Sequence, residues 1–121
     1  MTREKIANNA RTIEEKDEII SLTYYLVTGE LIFYYEGEKL VLPSYGIEII
    51  SETYRNGKKV DEEREIYENV SPYGDKVVEL IRYYADEFLS PVHLFDIMEE
   101  NIETYIEGFD MMLWEQYRVA I

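Results

Sequence analysis

The segment "SPVHLFDIMEENIETYIEGFDMMLW", Ser90 through Trp114, holds the chain's only histidine and only tryptophan beside a run of carboxylates. His93 is therefore the one imidazole available for proton transfer or metal ligation. With Ser90 as an N-cap and Pro91 at the first helical position, His93 falls in the first turn of a helix. The positive end of the helix dipole there favours a neutral ring. Asp96, three residues on, is placed to orient it. A general base has this arrangement, and so does an ordinary histidine near a helix cap; geometry decides between them. No nucleophile motif accompanies it, and a Ser90 hydroxyl used as a cap is a poor nucleophile. No catalytic residue is assigned.

Metal and cofactor chemistry has equally little support. The di-iron bundles need Glu-x-x-His from two helices, whereas His93-x-x-Asp96 has the reverse order and occurs once. The chain contains no H-E-x-x-H, EF-hand loop, P-loop or G-x-G-x-x-G. With no cysteine, disulfides, thiolate zinc sites, iron–sulfur clusters and cysteine nucleophiles are excluded. The expectation is no metal and no cofactor; Glu48, Glu52, Asp61 and Glu65 of a central hairpin are read as solvated acids, with weak binding of a divalent cation as the alternative.

The more specific pattern is electrostatic. No lysine or arginine occurs from Tyr83 through Tyr117. If one helix runs up to Gly108, then Asp96, Glu99, Glu100, Glu103 and Glu107 share a face. Like charges at that spacing cost an isolated helix a few tenths of a kcal/mol per pair, roughly, so the opposite face must pack. Phe109, Met112 and Trp114 continue beside them, in a composition that suits an interface as well as a core. These eight residues are the candidate partner-binding set. The competing expectation is a solvated acidic face with the aromatic tail covering the sheet.

The formal charge of −14, from 26 acidic and 12 basic side chains, points the same way. Such a field repels nucleic acid and anionic lipid and attracts basic partners. Direct nucleic-acid binding and membrane association are not expected, and the polar, mixed-charge start is unlike a signal peptide. A cytoplasmic protein with a basic protein partner, or a homodimer, is the expectation.

The elements that must position these residues read as sheet first and helix second. "IISLTYYLV" and "LIFYY" have strand composition, separated by "TGE"; "LVL" follows the "EGEK" turn and breaks at Pro43. "YGIEIISETY" and "KVDEEREIYENV" flank Asn56-Gly57, a tight-hairpin signal. A two-residue turn there predicts Ile47 opposite Ile66 and Thr53 opposite Val60, with Glu48 opposite Glu65 on the other face. Tyr25, one of Tyr34 and Tyr35, Tyr54 and Tyr67 are then expected on the open side of the sheet. Two Ser-Pro starts, Ser71-Pro72 and Ser90-Pro91, announce two helices, striped by Val77, Leu80, Ile81, Tyr84 and Phe88 and by Phe95, Met98, Ile102 and Tyr105. Gly108 is expected to end or interrupt the second helix, leaving a short third helix or docked tail.

The fold expected is a single α+β domain. Residues 1–18 are flexible or a short helix capped by Thr12 and Glu15, 19–70 form an antiparallel meander of about four strands, and 71–121 form two to three helices on one face. The strings "SYGIEII", "RNGK", "ENVSP" and "SPVHLFDIMEE" resemble a small family of uncharacterised proteins from Firmicutes, chiefly clostridia, over the stretch from Ile20 to Ile106. The resemblance implies a bacterial cytoplasmic setting and carries no site residues. The leading functional reading is a non-enzymatic acidic protein-interaction module. The alternatives are a small-molecule binder or minor hydrolase centred on His93, and a DNA-mimicking inhibitor of a basic nucleic-acid-binding protein.

Overall fold

Aromatic and β-branched residues crowd the chain from Glu18 to Arg55, and they build two long strands in the computed structural model, which describes residues 1–119. The strands β1 (Thr2–Ile13), β2 (Glu18–Tyr35), β3 (Glu38–Arg55) and β4 (Lys58–Ser71) form one antiparallel meander in chain order. Three helices follow: α1 (Gly74–Asp86), α2 (Pro91–Glu100) and α3 (Ile102–Tyr117). The fold is α+β. Leu22, Tyr24, Leu26, Ile47 and Ile49 of the central strands form the main core with Val77, Ile81, Tyr84 and Ala85 of α1 and Leu94 and Met98 of α2.

The first strand corrects the expectation of a flexible or helical N-terminus. Residues Thr2–Ile13 pair with β2, and Thr12 and Glu15 form no capping box, because Glu14–Lys16 is a single 3-10 turn closed by Asp17 at positive φ. Sequence pattern gives little sign of β1, since most of it is exposed. Polar side chains fasten it instead. Asn8 donates to the hydroxyls of Ser21 and Thr23, both at 2.9 Å, and Asn9 donates to the Ala85 carbonyl at 2.9 Å.

Two expected breaks are absent. Gly29 and Glu30 continue β2 opposite Ser44 and Pro43, so "IISLTYYLV" and "LIFYY" are one strand and Pro43 lies within β3. The tolerance of Pro43 has a geometric cause. Beyond Tyr45, which pairs with Ser71, β4 has ended. In that uncovered part of β3 the Val41 N–H and C=O both bond the Tyr117 hydroxyl, so odd-numbered residues turn their backbone groups away from β2. Pro43 thus lacks an N–H where no neighbouring strand needs one.

The Asn56-Gly57 turn forms with both residues at positive φ, but the register beyond it is not the one expected. Arg55 faces Lys58 and Tyr54 faces Lys59; a bulge at Val60 then sets Thr53 against Asp61. Ile47 consequently meets Tyr67 and Glu48 meets Ile66, which carries Tyr67 to the helix side and leaves Val60 exposed. The like-charged pair Glu52 and Glu62 is bridged by the Lys59 ammonium, 3.5 Å and 3.0 Å away. The hydrogen bond and charge of Glu62 hold Lys59 above its ordinary pKa, and Lys59 in turn holds Glu62 below.

A second, wider bulge sets Glu68, Asn69 and Val70 against Gly46. Asn69 adopts φ 59° and its side-chain oxygen accepts from the Ser44 hydroxyl at 2.7 Å. The displaced β4 backbone lies directly over Gly46. A Cβ there would overlap the Tyr67 carbonyl oxygen and sit 2.8 Å from the Glu68 Cα.

Helix boundaries also move. Ser71 ends β4 rather than capping α1, and its hydroxyl accepts the Tyr73 N–H at 3.1 Å. Pro91 opens α2 as expected, but the Ser90 side chain makes no capping bond. The second helix breaks at Asn101, whose amide donates to the Ile97 carbonyl at 3.1 Å, while Gly108 lies inside α3 where that helix passes Ser71 and Pro72. Past that crossing, Phe109 and Leu113 close on Leu40 and Leu42 of β3, with Leu31 and Phe33 of β2 beside them. The helix-covered positions of β2 therefore change from even to odd along the strand.

Candidate functional site

Only part of α2 faces the core: Pro91, Leu94 and Met98 are buried. Phe95 and Ile102, expected in the buried stripe, are exposed: Phe95 sits at the border of the buried side of α2, beside Leu94 and Met98, and the break at Asn101 resets the helical phase before Ile102. Phe95 leans on Tyr67 at 6.1 Å between ring centroids and remains 55% exposed. The Tyr67 hydroxyl donates to Glu99 at 2.9 Å; burial, then Glu99, pushes that phenol up to about 12. The β4 register shift makes this contact possible by turning Tyr67 toward α2.

On α3 the buried side is Phe109 and Leu113, with Tyr105 and Met112 half-buried. Ile106 is 53% exposed and Trp114 51%. The Arg118 guanidinium lies 5.6 Å from the Trp114 ring, and Glu115 accepts the Tyr73 hydroxyl at 3.2 Å. Tyr117 fixes the helix end to β3: its hydroxyl donates to the Val41 carbonyl at 2.9 Å and accepts the Val41 N–H at 3.3 Å.

All five predicted carboxylates are exposed, but they do not share one helix. Asp96, Glu99 and Glu100 belong to α2, and Glu103 and Glu107 belong to α3. Phe109 is a core residue and Met112 packs beside it, which leaves Trp114 as the exposed member of the aromatic set. Sequence periodicity missed Phe95, Ile102 and Ile106 as surface residues. For Ile102 and Ile106, Asn101 carried the missing signal, since asparagine in a helix interior competes with the helix for its own backbone. The result is exposed apolar side chains on both helices, interleaved along the chain with exposed carboxylates, and no lysine or arginine between Tyr83 and Tyr117.

His93 lies elsewhere in character. Its side chain is exposed, and among the described residues it makes no hydrogen bond or ion pair, with Asp96 or any other group. No cluster of three metal-ligating side chains occurs among the described residues. An apolar cleft of about 230 Å³ opens between α1 and α3, lined by Val70, Val77, Leu80 and Tyr105 with Lys76 at its rim.

The open side of the sheet presents Tyr25 and Tyr54, while Tyr67 has moved to the helix side. Arg3 spans the open side, 4.5 Å from the Tyr25 ring centroid and 2.6 Å from the buried Glu48 carboxylate. The hydrogen bond and charge of Glu48 raise the Arg3 pKa.

Among the described residues, no helix is long and apolar enough to cross a membrane. No curated protein and no solved structure matches the chain. A family model does match, over residues 3–104, which spans the sheet, α1, α2 and the first turn of α3. The chain therefore belongs to DUF6514, a family of unknown function.

Proposed function

We propose that this protein is a non-enzymatic interaction module whose α2–α3 surface binds a basic, amphipathic segment of a partner protein. The observation that carries this reading is the exposure of Phe95, Ile106 and Trp114 among Glu99, Glu103 and Glu107. Apolar anchors bordered by charge are what a docking segment needs: burial supplies affinity and the carboxylates steer and select. A cysteine-free acidic composition and the resemblance to clostridial proteins support a bacterial cytoplasmic setting.

The experiment is partner capture from bacterial lysate in low and high salt, with two variants beside the parent chain. One carries Phe95→Ser, Ile106→Ser and Trp114→Ser; the other carries Glu99→Gln, Glu103→Gln and Glu107→Gln. The reading expects one set of proteins to be lost from both variants and released by salt. Equal retention by parent and variants, each shown to be folded, would refute it. Release by added DNA would instead favour mimicry of nucleic acid.

A further inference from the structure

One stretch of open sheet edge is both uncharged and aromatic, and it is not on an outer strand. Strand β1 pairs with β2 only as far as Thr28, so on that side no strand among the described residues covers β2 from Gly29 to Tyr35. Register identifies which backbone groups are left there. Val41 turns its N–H and C=O away from β2, toward Tyr117. Its partner Ile32 therefore turns its own away from β3, because opposed antiparallel residues point their backbone groups alike. Glu30 and Tyr34, two residues to either side, do the same. Thr28, the next in that series, already pairs with Thr2 of β1.

Other edges of the sheet are defended. The β1 edge carries Arg3, Glu4, Lys5 and Arg11 on either side of the uncharged residues 6–10, a stretch interrupted by a bulge and tied to α1 through Asn9. Strand β4 carries Lys58, Lys59 and the run Asp61 to Glu65. Charges and bulges of this kind discourage strand addition. From Leu31 through Tyr35 there is no charge at all, and Tyr34 is 76% exposed. An uncharged, aromatic, unpaired edge is a template for another strand.

We propose that this edge of β2 pairs antiparallel with the same edge of a second copy of the chain, about a two-fold axis at Ile32. The self-complementarity of the segment is the argument for a second copy. Only a register centred on Ile32 uses all three outward residues of both chains: Ile32 faces its equivalent, and Glu30 faces Tyr34 of the second copy. The same register keeps the two Glu30 carboxylates apart, whereas centring on Glu30 would set like charges opposite. It also places Leu31 against Phe33 of the second copy. Each of these already packs with Leu40, Leu42, Phe109 and Leu113, so the two small apolar clusters become one layer.

The joint is short, and interfaces below about 1,200 Å² of total buried area are of the weak class, so dissociation in the range of roughly 10–100 μM is expected. Sedimentation equilibrium across that range, combined with amide hydrogen exchange, tests the proposal. The intact chain should dimerise, with the Glu30, Ile32 and Tyr34 amides gaining protection as concentration rises. Ile32→Lys, a change at an exposed position, should weaken association by about tenfold or more, which is 1.4 kcal/mol or more. The folded state of that variant is checked by the unchanged protection of Leu22 and Ile49. The α2–α3 surface variants should dimerise normally, which separates this joint from the proposed partner site. A chain monomeric throughout that range, a dimer unaffected by Ile32→Lys, or a dimer whose three amides stay unprotected would each overturn the proposal, as would protection gained only from a foreign partner.

Discussion

Gly46 lies under the β4 bulge with no room for a side chain, and the identity of one atom decides whether β3 and β4 can close. Gly46→Ala should cost at least about 2 kcal/mol, because the obstacle is strand backbone rather than a flexible side-chain end. Urea unfolding of the two chains measures it. Tyr24 supplies a second residue-scale prediction. Its buried hydroxyl donates to the Leu89 carbonyl at 2.8 Å, and burial raises its pKa to about 12. An exposed tyrosine in the unfolded chain ionises near 10. Across the window from about 10 to about 12 the unfolded chain loses a proton that the folded chain keeps, so stability falls as pH rises. Tyr24→Phe should flatten that fall and cost about 1 kcal/mol near neutral pH, since the Leu89 carbonyl loses its donor. Unfolding titrations at the two pH values separate these effects. Neither role was legible in the sequence. A glycine between Tyr45 and Ile47 announces close backbone approach only when the opposing strand is known, and a phenol's acceptor is a tertiary fact.

Elements with their own periodicity were the legible ones: the Asn56-Gly57 turn, the stripe of Val77, Ile81 and Tyr84, and the proline opening α2. Elements held by their neighbours were not. β1 has no apolar alternation and is held by its ladder with β2, by Ile6 and Ala7 against the core and by Asn8 and Asn9 reaching β2 and α1. The break at Asn101 escaped because the spacing of acids and apolar residues continues smoothly across it, and the Val60 bulge escaped because alternation alone cannot show a slipped residue. The candidate surface suffered accordingly: its carboxylates were correctly found as exposed, but Phe109 was not available and Phe95 and Ile106 were overlooked. The contact that sets the end of α3 is the Tyr117 hydroxyl on Val41. Because these atoms are near solvent, Tyr117→Phe should destabilise the fold only modestly, by about 0.5–1 kcal/mol. Its clearer signature should be faster hydrogen exchange at the Val41 amide, with α1 unaffected.

For the whole molecule, net charge is the quantity that composition states outright. At −14 the folded chain concentrates like charges that the unfolded chain disperses. Raising salt from about 0.01 M to about 0.5 M should therefore raise the thermal midpoint, as the screening length falls below the spacing of surface charges. The same change should release a basic partner, so stability and binding move in opposite directions with salt. Scanning calorimetry and the capture experiment, run in matched buffers, check both signs.

The hydroxyl of Tyr117 has one more consequence, which concerns stoichiometry. It occupies one side of the ribbon formed by the far halves of β2 and β3, so in that ribbon each molecule keeps a single vacant side. An object with one vacant side can be joined once and then has nothing left to offer. Growth along the ribbon would terminate at a closed pair, and a helix-borne phenol would be what keeps a sticky strand from seeding a fibre.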